Sequence, residues 1–519
     1  MSWKPELDEI ARRVELAKKM GGEERVARAK EAGRLTVRER IDGLLDDESF
    51  HETGALAGRV EYNDDAEIES YTPSNFICGR GRIANREVLL GCDDFTVRGG
   101  AADGAIGNKM GWAEKAALDL RRPLVRLVDG TGGGGSVKMN ATIRRSYVPY
   151  NPDFDVSVEL LATVPVVGAA LGPVAGLGAA RVAASHFSVM VKETSQMFVA
   201  GPPVVKRAFN REVNKEELGG SHIHARGSGA VDNEARSEEE AFEQIRQFLS
   251  YLPDSIYEMP PRTESTDDPE RREEKLIDLV PRERRKTYDM RKLIQYVVDH
   301  DSFFEMGRYF GRSVLTGFAR LDGIPVGIMA NDPRQLAGSP DADACDKMVR
   351  FVDLCDTFHI PVVNLVDNPG FQVGIEAEHR GTIRHGVRAL FAIYQAKIPW
   401  VSILVRRCFG VAGAGHGKHH RLNLRYAWPS AEWGSLPIEG GVEAAYKRVI
   451  AASDNPDRTR QELEDNLSTM RSPILTAEAF GVEEIIDPRD TRRLLVDWAR
   501  RAYEIENAHL GPRDRGIRP

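Results

Sequence analysis

The sequence has little of what marks exported, membrane-bound or nucleotide-driven proteins. Its 519 residues hold only five cysteines (Cys78, Cys92, Cys345, Cys355, Cys408), and no two form a CxxC pair. This excludes a disulfide framework and a zinc ribbon, and it points to a reducing compartment. No window approaches 18 uncharged apolar residues, and the opening MSWKPELDEIARR carries charges where a signal peptide needs an apolar core. A cytoplasmic protein without a membrane segment is expected. The balance of 71 Lys+Arg against 79 Asp+Glu gives a net charge of −8, without the basic excess that drives nucleic-acid binding. The sequence contains no GxxxxGK[ST], no GxGxxG followed at the usual spacing by an acidic ribose ligand, and no GxSxG elbow. Phosphate-loop, dinucleotide and esterase chemistries therefore find no support. His416, His419 and His420 lack a carboxylate at helical spacing, so no metal centre is expected.

Glycine, by contrast, is plentiful: 48 residues, about 9% against an average near 7%. The first 55 residues read as a helical arm with charged faces, their apolar positions Leu7, Ile10, Val14 and Leu16 following a helical period. From Cys78 onward, short apolar β-runs alternate with longer helical stretches, the pattern of an α/β fold. An internal repeat then organises the chain. GRIANREVLLGCDDF (81–95) pairs with ARLDGIPVGIMANDP (319–333), and RRPLVRLVDGTGG (121–133) with HIPVVNLVDNPGF (359–371). Arg82 and Arg320, Asp93 and Asn331, Pro123 and Pro361, and Asp129 and Asp367 share one offset of 238. A third pair, TVPVVGAALGPVAGLGAA (163–180) and KIPWVSILVRRCFGVAGAG (397–415), follows with a small slip. Two copies of one fold are expected, after an arm at 1–55: an N-terminal domain over 56–265 and a C-terminal domain over 275–510. The proline-rich, charged stretch near 255–285 reads as their linker.

In each copy the third segment runs from a buried strand into a Gly/Ala turn, GPVAGLGAARVAA (172–184) and FGVAGAGHGKHH (409–420). Such turns leave backbone N–H groups uncovered and aim them at one point, which is how an oxyanion hole is built. Glycine also permits tight strand–helix packing; recurrence in both copies favours function. The run Gly132 to Gly135 reads either as a close backbone approach to phosphate or as a loop. Cys408 reads as a small buried hydrophobe rather than a nucleophile.

Segments along nearly the whole chain resemble the β, or carboxyltransferase, subunit of biotin-dependent acyl-CoA carboxylases of the propionyl-CoA and methylcrotonyl-CoA carboxylase type. They include GRLTVRERIDGLLDDESFHE (33–52), DDFTVRGGA (93–101), FSVMVKETSQMFVAGPPVVK (187–206), GFARLDGIPVGIMAN (317–331), RFVDLCDTFHIPVVNLVDNPGF (350–371), GTIRHG (381–386) and YAWPSAE (426–432). The resemblance implies two tandem crotonase-like (ββα-spiral) domains behind the helical arm, in a homohexamer built as a trimer of dimers. It implies transfer of CO2 from carboxybiotin to the α-carbon of an acyl-CoA. The biotin is carried by a partner biotin carboxylase or carboxyl carrier subunit, which uses the ATP and bicarbonate. No metal in this chain, no nucleic acid and no membrane is implied.

Carried over by position, the resemblance places one oxyanion hole on the backbone N–H groups of Gly176 and Leu177 and a second on Val411 and Ala412. Ala175, Gly178, Gly132, Gly133 and Ala414 would contact substrate, and Gly410, Gly413 and Phe371 the biotin. Arg34, Arg38, Arg40 and Lys109 are candidate donors to the CoA phosphates. The chain departs from the family where Asp129 is followed by Gly130-Thr131-Gly132-Gly133-Gly134, where Leu177 and Val411 replace glycines, and where Ala414 replaces an acid associated with acyl-chain choice. Two other readings remain: a related decarboxylase or transcarboxylase subunit, and a non-catalytic scaffold.

Overall fold

The computed structural model describes residues 2–101, 107–130, 144–146, 148, 154–417, 421–514 and 516. The chain forms two compact units, Met1–Ile256 with Pro512–Pro519, and Tyr257–Gly511. Each is built on one mixed sheet whose main strands lie in chain order.

In the first unit, His51–Thr53, Phe76–Ile83 and Arg86–Asp93 pair antiparallel. Leu124–Val128, Val166–Ala170, Phe187–Val191 and Asn233–Ala235 then continue the sheet in parallel. The second unit repeats the plan. Phe304–Met306, Val314–Leu321 and Ile324–Asn331 are antiparallel, and Val362–Asn368, Trp400–Phe409, Leu424–Ala427 and Glu484–Ile485 follow in parallel. Helices such as Ala342–Thr357 and Thr382–Gln395 connect the parallel strands. Strands covered on both faces show no in-out alternation of burial: Leu124–Val128, Val166–Ala170 and Val362–Asn368 are buried at every residue, Arg126, Asn364 and Asp367 included. Both antiparallel hairpins turn on two consecutive positive-φ residues, Ala84–Asn85 (50° and 65°) and Asp322–Gly323 (53° and 75°), the geometry that matches strand twist.

The repeat begins earlier than the sequence patterns suggest. The helix Val37–Leu44 is capped by Thr36, whose hydroxyl accepts from Glu39 N–H while the Glu39 carboxylate accepts from Thr36 N–H. It buries Val37, Ile41 and Leu44. Its counterpart Met290–Val297 is capped by Asp289 and buries Met290, Leu293, Ile294 and Val297. Arg38 pairs with Glu52 at 3.1 Å in one copy and Arg291 with Glu305 at 2.6 Å in the other. The third helix of the expected arm is therefore core. Only Lys4–Lys18, with Trp3, Leu7 and Ile10 exposed, and Glu23–Glu31 keep an arm's character.

The stretch expected as a linker differs as well. From Tyr257 onward it packs on the second unit, ahead of the boundary at 275. Arg271 pairs with Asp267 at 2.9 Å and donates to the carbonyls of Tyr296 and Val298, and Leu276 and Tyr288 are buried. Its charges find partners in the fold, which a free linker's would not.

Candidate functional site

Corresponding parallel strands end on corresponding acids. Asp129, after Leu124–Val128, accepts from Arg34 at 3.1 Å and Arg40 at 2.8 Å. Asp367, near the end of Val362–Asn368, accepts from Arg406 at 2.9 Å and Arg407 at 2.6 Å. A loop crosses each acid so closely that only glycine fits. A Cβ on Gly100 would come within 2.3 Å of the Asp129 carbonyl oxygen, and one on Gly338 within 2.5 Å of that of Asp367.

The first glycine turn follows a short strand, Pro173–Ala175, paired with Gln196–Phe198. That pairing decides which donors remain. Ala175 N–H donates to Gly130 O at 3.1 Å and Gly176 N–H to Phe198 O at 3.1 Å. Gly176, at φ 59° and ψ −119°, then opens the helix Leu177–Ala183. Leu177 and Gly178, as its first residues, have N–H groups with no intrahelical acceptor. Of the expected pair Gly176 and Leu177, Gly176 spends its N–H on the strand and Leu177 keeps one without an intrahelical acceptor. Gly178 has no room for a side chain, since its Cβ would lie 2.9 Å from Val174 Cγ1.

Behind this turn lies a cavity of about 20 Å³, room for one water, lined by Asn75, Asp93, Gly130, Leu177, Gly178 and Arg181 among others. A buried charge network supports it. Arg181 faces Asp93 at 3.5 Å, and Arg126 pairs with Glu114 at 2.8 Å. Burial pushes the Asp93 carboxyl above its ordinary value, opposed by the Arg181 charge.

The second turn is the five-residue helix Gly410–Ala414, entered at Gly410 with φ 63°. Val411 and Ala412 lie within its first three residues, so their N–H groups also lack an intrahelical acceptor. The Val411 side chain is 60% exposed, whereas Ala412 and Gly413 are buried. Ala414 is exposed and its carbonyl accepts from the Tyr394 hydroxyl at 3.1 Å. Cys408 is buried, with its thiol pushed up to about 12 by desolvation, which suits a packing residue. Phe371 is half-buried, with its ring where a Cβ on Gly386 would come within 2.5 Å. Gly132, Gly133, His419 and His420 lie outside the described residues. Among the described residues no group of acids, histidines and cysteines could hold a metal, and no helix is long and apolar enough to cross a membrane.

The cations sort themselves by burial. Arg40 is enclosed, donating to Glu238 at 2.6 Å as well as to Asp129. Arg38 is paired with Glu52, and Lys109 donates to the Gly54 carbonyl at 3.1 Å. Arg34, the fourth of the expected donors, lines a sizeable cavity. This cavity, about 250 Å³, is walled by Arg25, Arg28, Arg34 and Arg98 with Phe95 and Thr96. The Arg34 guanidinium lies 4.5 Å from the centre of the Phe95 ring. Arg25, Arg28 and Arg98 were missed in the sequence. Arg25 and Arg28 stand three apart on one helix, a spacing that places them on one face.

Comparison with known proteins settles what this constellation belongs to. The carboxyl transferase domain family matches residues 28–516. The chain belongs to this family. The carboxyl transferase is 36% identical over 498 residues to the propionyl-CoA carboxylase carboxyltransferase subunit of Haloferax mediterranei, covering 96% of each chain. It is 33% identical over 492 residues to the methylmalonyl-CoA carboxyltransferase 12S subunit of Propionibacterium freudenreichii subsp. shermanii, covering 94% of this chain and 93% of that one. Among solved structures, a hexameric transcarboxylase 12S with methylmalonyl-CoA and methylmalonic acid bound matches with a TM-score of 0.88 at 30% identity, over 100% of this chain and 98% of that one. The carboxyl transferase is thus an enzyme of the biotin-dependent propionyl-CoA carboxylase family.

Proposed function

We propose that this chain is the carboxyltransferase subunit of a biotin-dependent acyl-CoA carboxylase, transferring CO2 from carboxybiotin to the α-carbon of an acyl-CoA. The observation that carries the reading is the pair of turns. Each leaves a strand and presents adjacent N–H groups without an intrahelical acceptor, Leu177 and Gly178 among them in the first turn and Val411 and Ala412 in the second. Two donor pairs suit a reaction in which negative charge develops on one oxygen of each reactant. One such donor contributes about 3 kcal/mol to a barrier.

In this reading Leu177 and Gly178 N–H hold the thioester oxygen, with Ala175 beside the acyl group. Gly176 supports the turn rather than donating. Val411 and Ala412 N–H hold the ureido oxygen of biotin, with Gly410, Gly413 and Phe371 shaping the turn. The second turn fits a neutral carbonyl: it is open at Val411 and offers donors without a fixed charge. When bound, biotin supplies the CO2. The cavity of Arg25, Arg28, Arg34 and Arg98 fits the phosphates of CoA, which planar guanidinium groups recognise in pairs. The biotin, ATP and bicarbonate belong with a partner biotin carboxylase and carrier, and the chain works as a homohexamer in the cytoplasm.

The test is reconstitution with biotin carboxylase, biotinylated carrier, ATP and labelled bicarbonate over a panel of acyl-CoA esters. Label entering an acyl-CoA supports the reading, and no incorporation across the panel overturns it. A second reading, transcarboxylation, is favoured by the 33% identity to a methylmalonyl-CoA carboxyltransferase. It predicts ATP-independent loss of CO2 from methylmalonyl-CoA to the carrier.

A further inference from the structure

We infer that His416 is a positioning residue that sets the aim of the second turn through the carbonyl of Gly413. The inference rests on reading that turn as a donor pair. A five-residue helix closes few backbone bonds, so side-chain contacts weigh more in its geometry. The seven-residue helix of the first turn closes with Ala180 N–H on Gly176 O and Ala184 N–H on Ala180 O. The second turn closes with Gly415 N–H on Ala412 O at 3.2 Å and Gly417 N–H on Ala414 O at 3.0 Å, and side chains reinforce it at Gly413. The Gly413 carbonyl accepts from His416 N–H at 3.1 Å, from His416 Nδ1 at 2.7 Å and from the Cys408 thiol at 3.4 Å.

His416 is itself anchored to the strand Trp400–Phe409. Its carbonyl accepts from Ser402 Oγ at 2.9 Å, and Ser402 Oγ accepts from the buried Trp400 Nε1 at 3.3 Å. The contact to Gly413 requires the proton on Nδ1. Burial favours the uncharged ring, and the Gly413 carbonyl, which can only accept, selects the tautomer with the proton on Nδ1. The imidazole thus holds the peptide two beyond the Ala412 N–H, and the His416 carbonyl ties that residue to a largely buried strand. A carbonyl free to rotate would let the Val411 and Ala412 donors swing off a common target, and such donors act only when fixed in advance.

The experiment compares His416→Asn, whose side-chain N–H can stand in for Nδ1–H, with His416→Leu and Ser402→Ala. In the holo-complex, His416→Leu lowers kcat by about 30-fold with KM for acyl-CoA changed by less than about 3-fold, Ser402→Ala has a smaller effect in the same direction, and His416→Asn recovers most of the rate. On the full chain without partners, amide exchange across 409–417 quickens in His416→Leu and stays slow in His416→Asn, while 172–184 is unchanged in both. Unaltered kcat and exchange in His416→Leu, or equal losses in the Asn and Leu variants, overturn the inference. Should His416→Leu fail to fold, Ser402→Ala against His416→Asn decides in the same way. A wild-type complex that carboxylates nothing overturns the reading of the turn instead, and the exchange comparison then decides the role of His416 alone.

Discussion

Behind its glycine turn the first copy of the fold hides charges, whereas the second hides amides at the same places. Asp93 and Asn331 occupy one repeat position, and their side-chain oxygens make the same bond. Asp129 N–H donates to Asp93 at 3.2 Å and Asp367 N–H donates to Asn331 at 3.3 Å. Arg126 and Asn364 occupy another. The carboxylate needs a counterion, and Arg181 supplies it; the amide does not. Likewise Asp129 draws its arginines from near the entry helix and Asp367 from the adjacent strand. The repeat preserves the acceptor and its geometry, and leaves each copy to settle the charge with whatever neighbours it has.

The largest effect is expected from importing the second copy's residue into the first. Arg126→Asn leaves Glu114 buried without its partner at 2.8 Å and costs about 3–5 kcal/mol. Asn364→Ala, which breaks no ion pair, costs about 1 kcal/mol. Denaturant unfolding of both variants measures the difference, and equal costs would break the comparison.

Next, Gly178→Val drives a side chain into Val174 and Val128 and displaces the first donor pair. Turnover in the reconstituted complex falls by about 100-fold. Unchanged turnover would favour a scaffold.

A third prediction compares the lysines Lys109 and Lys347, which donate to Gly54 and Gly307 at 3.1 Å each. Burial lowers both, Lys347 to about 7. Above about pH 7 the folded chain has released the Lys347 proton while the unfolded chain keeps it up to about pH 10.4, so stability rises with pH through that window. The penalty is fully present at lower pH. The slope reaches at most about 1.4 kcal/mol per pH unit. Lys347→Met flattens it and Lys109→Met removes a smaller rise, as urea midpoints at pH 7 and 9 would show.

The smallest effect is Arg28→Ala in the arginine cavity, which raises KM for acyl-CoA by about 5-fold and leaves kcat unchanged. Its half of the comparison is that no matching change in the second copy alters acyl-CoA binding.

Much of this was legible in the residues. The offset linking Arg82 to Arg320 and Asp129 to Asp367 reports strands with one job in each copy, and the buried parallel strands are apolar-rich runs that few polar residues interrupt. The earlier pairing of Arg38–Glu52 with Arg291–Glu305 is not legible in the residues, because two matched positions, one in a helix and one in a short strand, carry too little signal. The packed strap after Tyr257 escaped because proline and charge mark exposure only when their partners are unknown.

The sequence by itself determined the two-copy α/β plan, the family and the two turns, since each is written in local periodicity, spacing and glycine placement. The tertiary structure alone decided which donors are left over. Gly176 N–H is taken by Phe198 because two short strands meet across the turn, while Leu177 and Gly178 N–H have no intrahelical acceptor. It also gathered Arg25, Arg28, Arg34 and Arg98 around one cavity and set His416 on Gly413. Which partner a hydrogen-bonding group finds depends on chain segments far apart in sequence, and no local pattern records that.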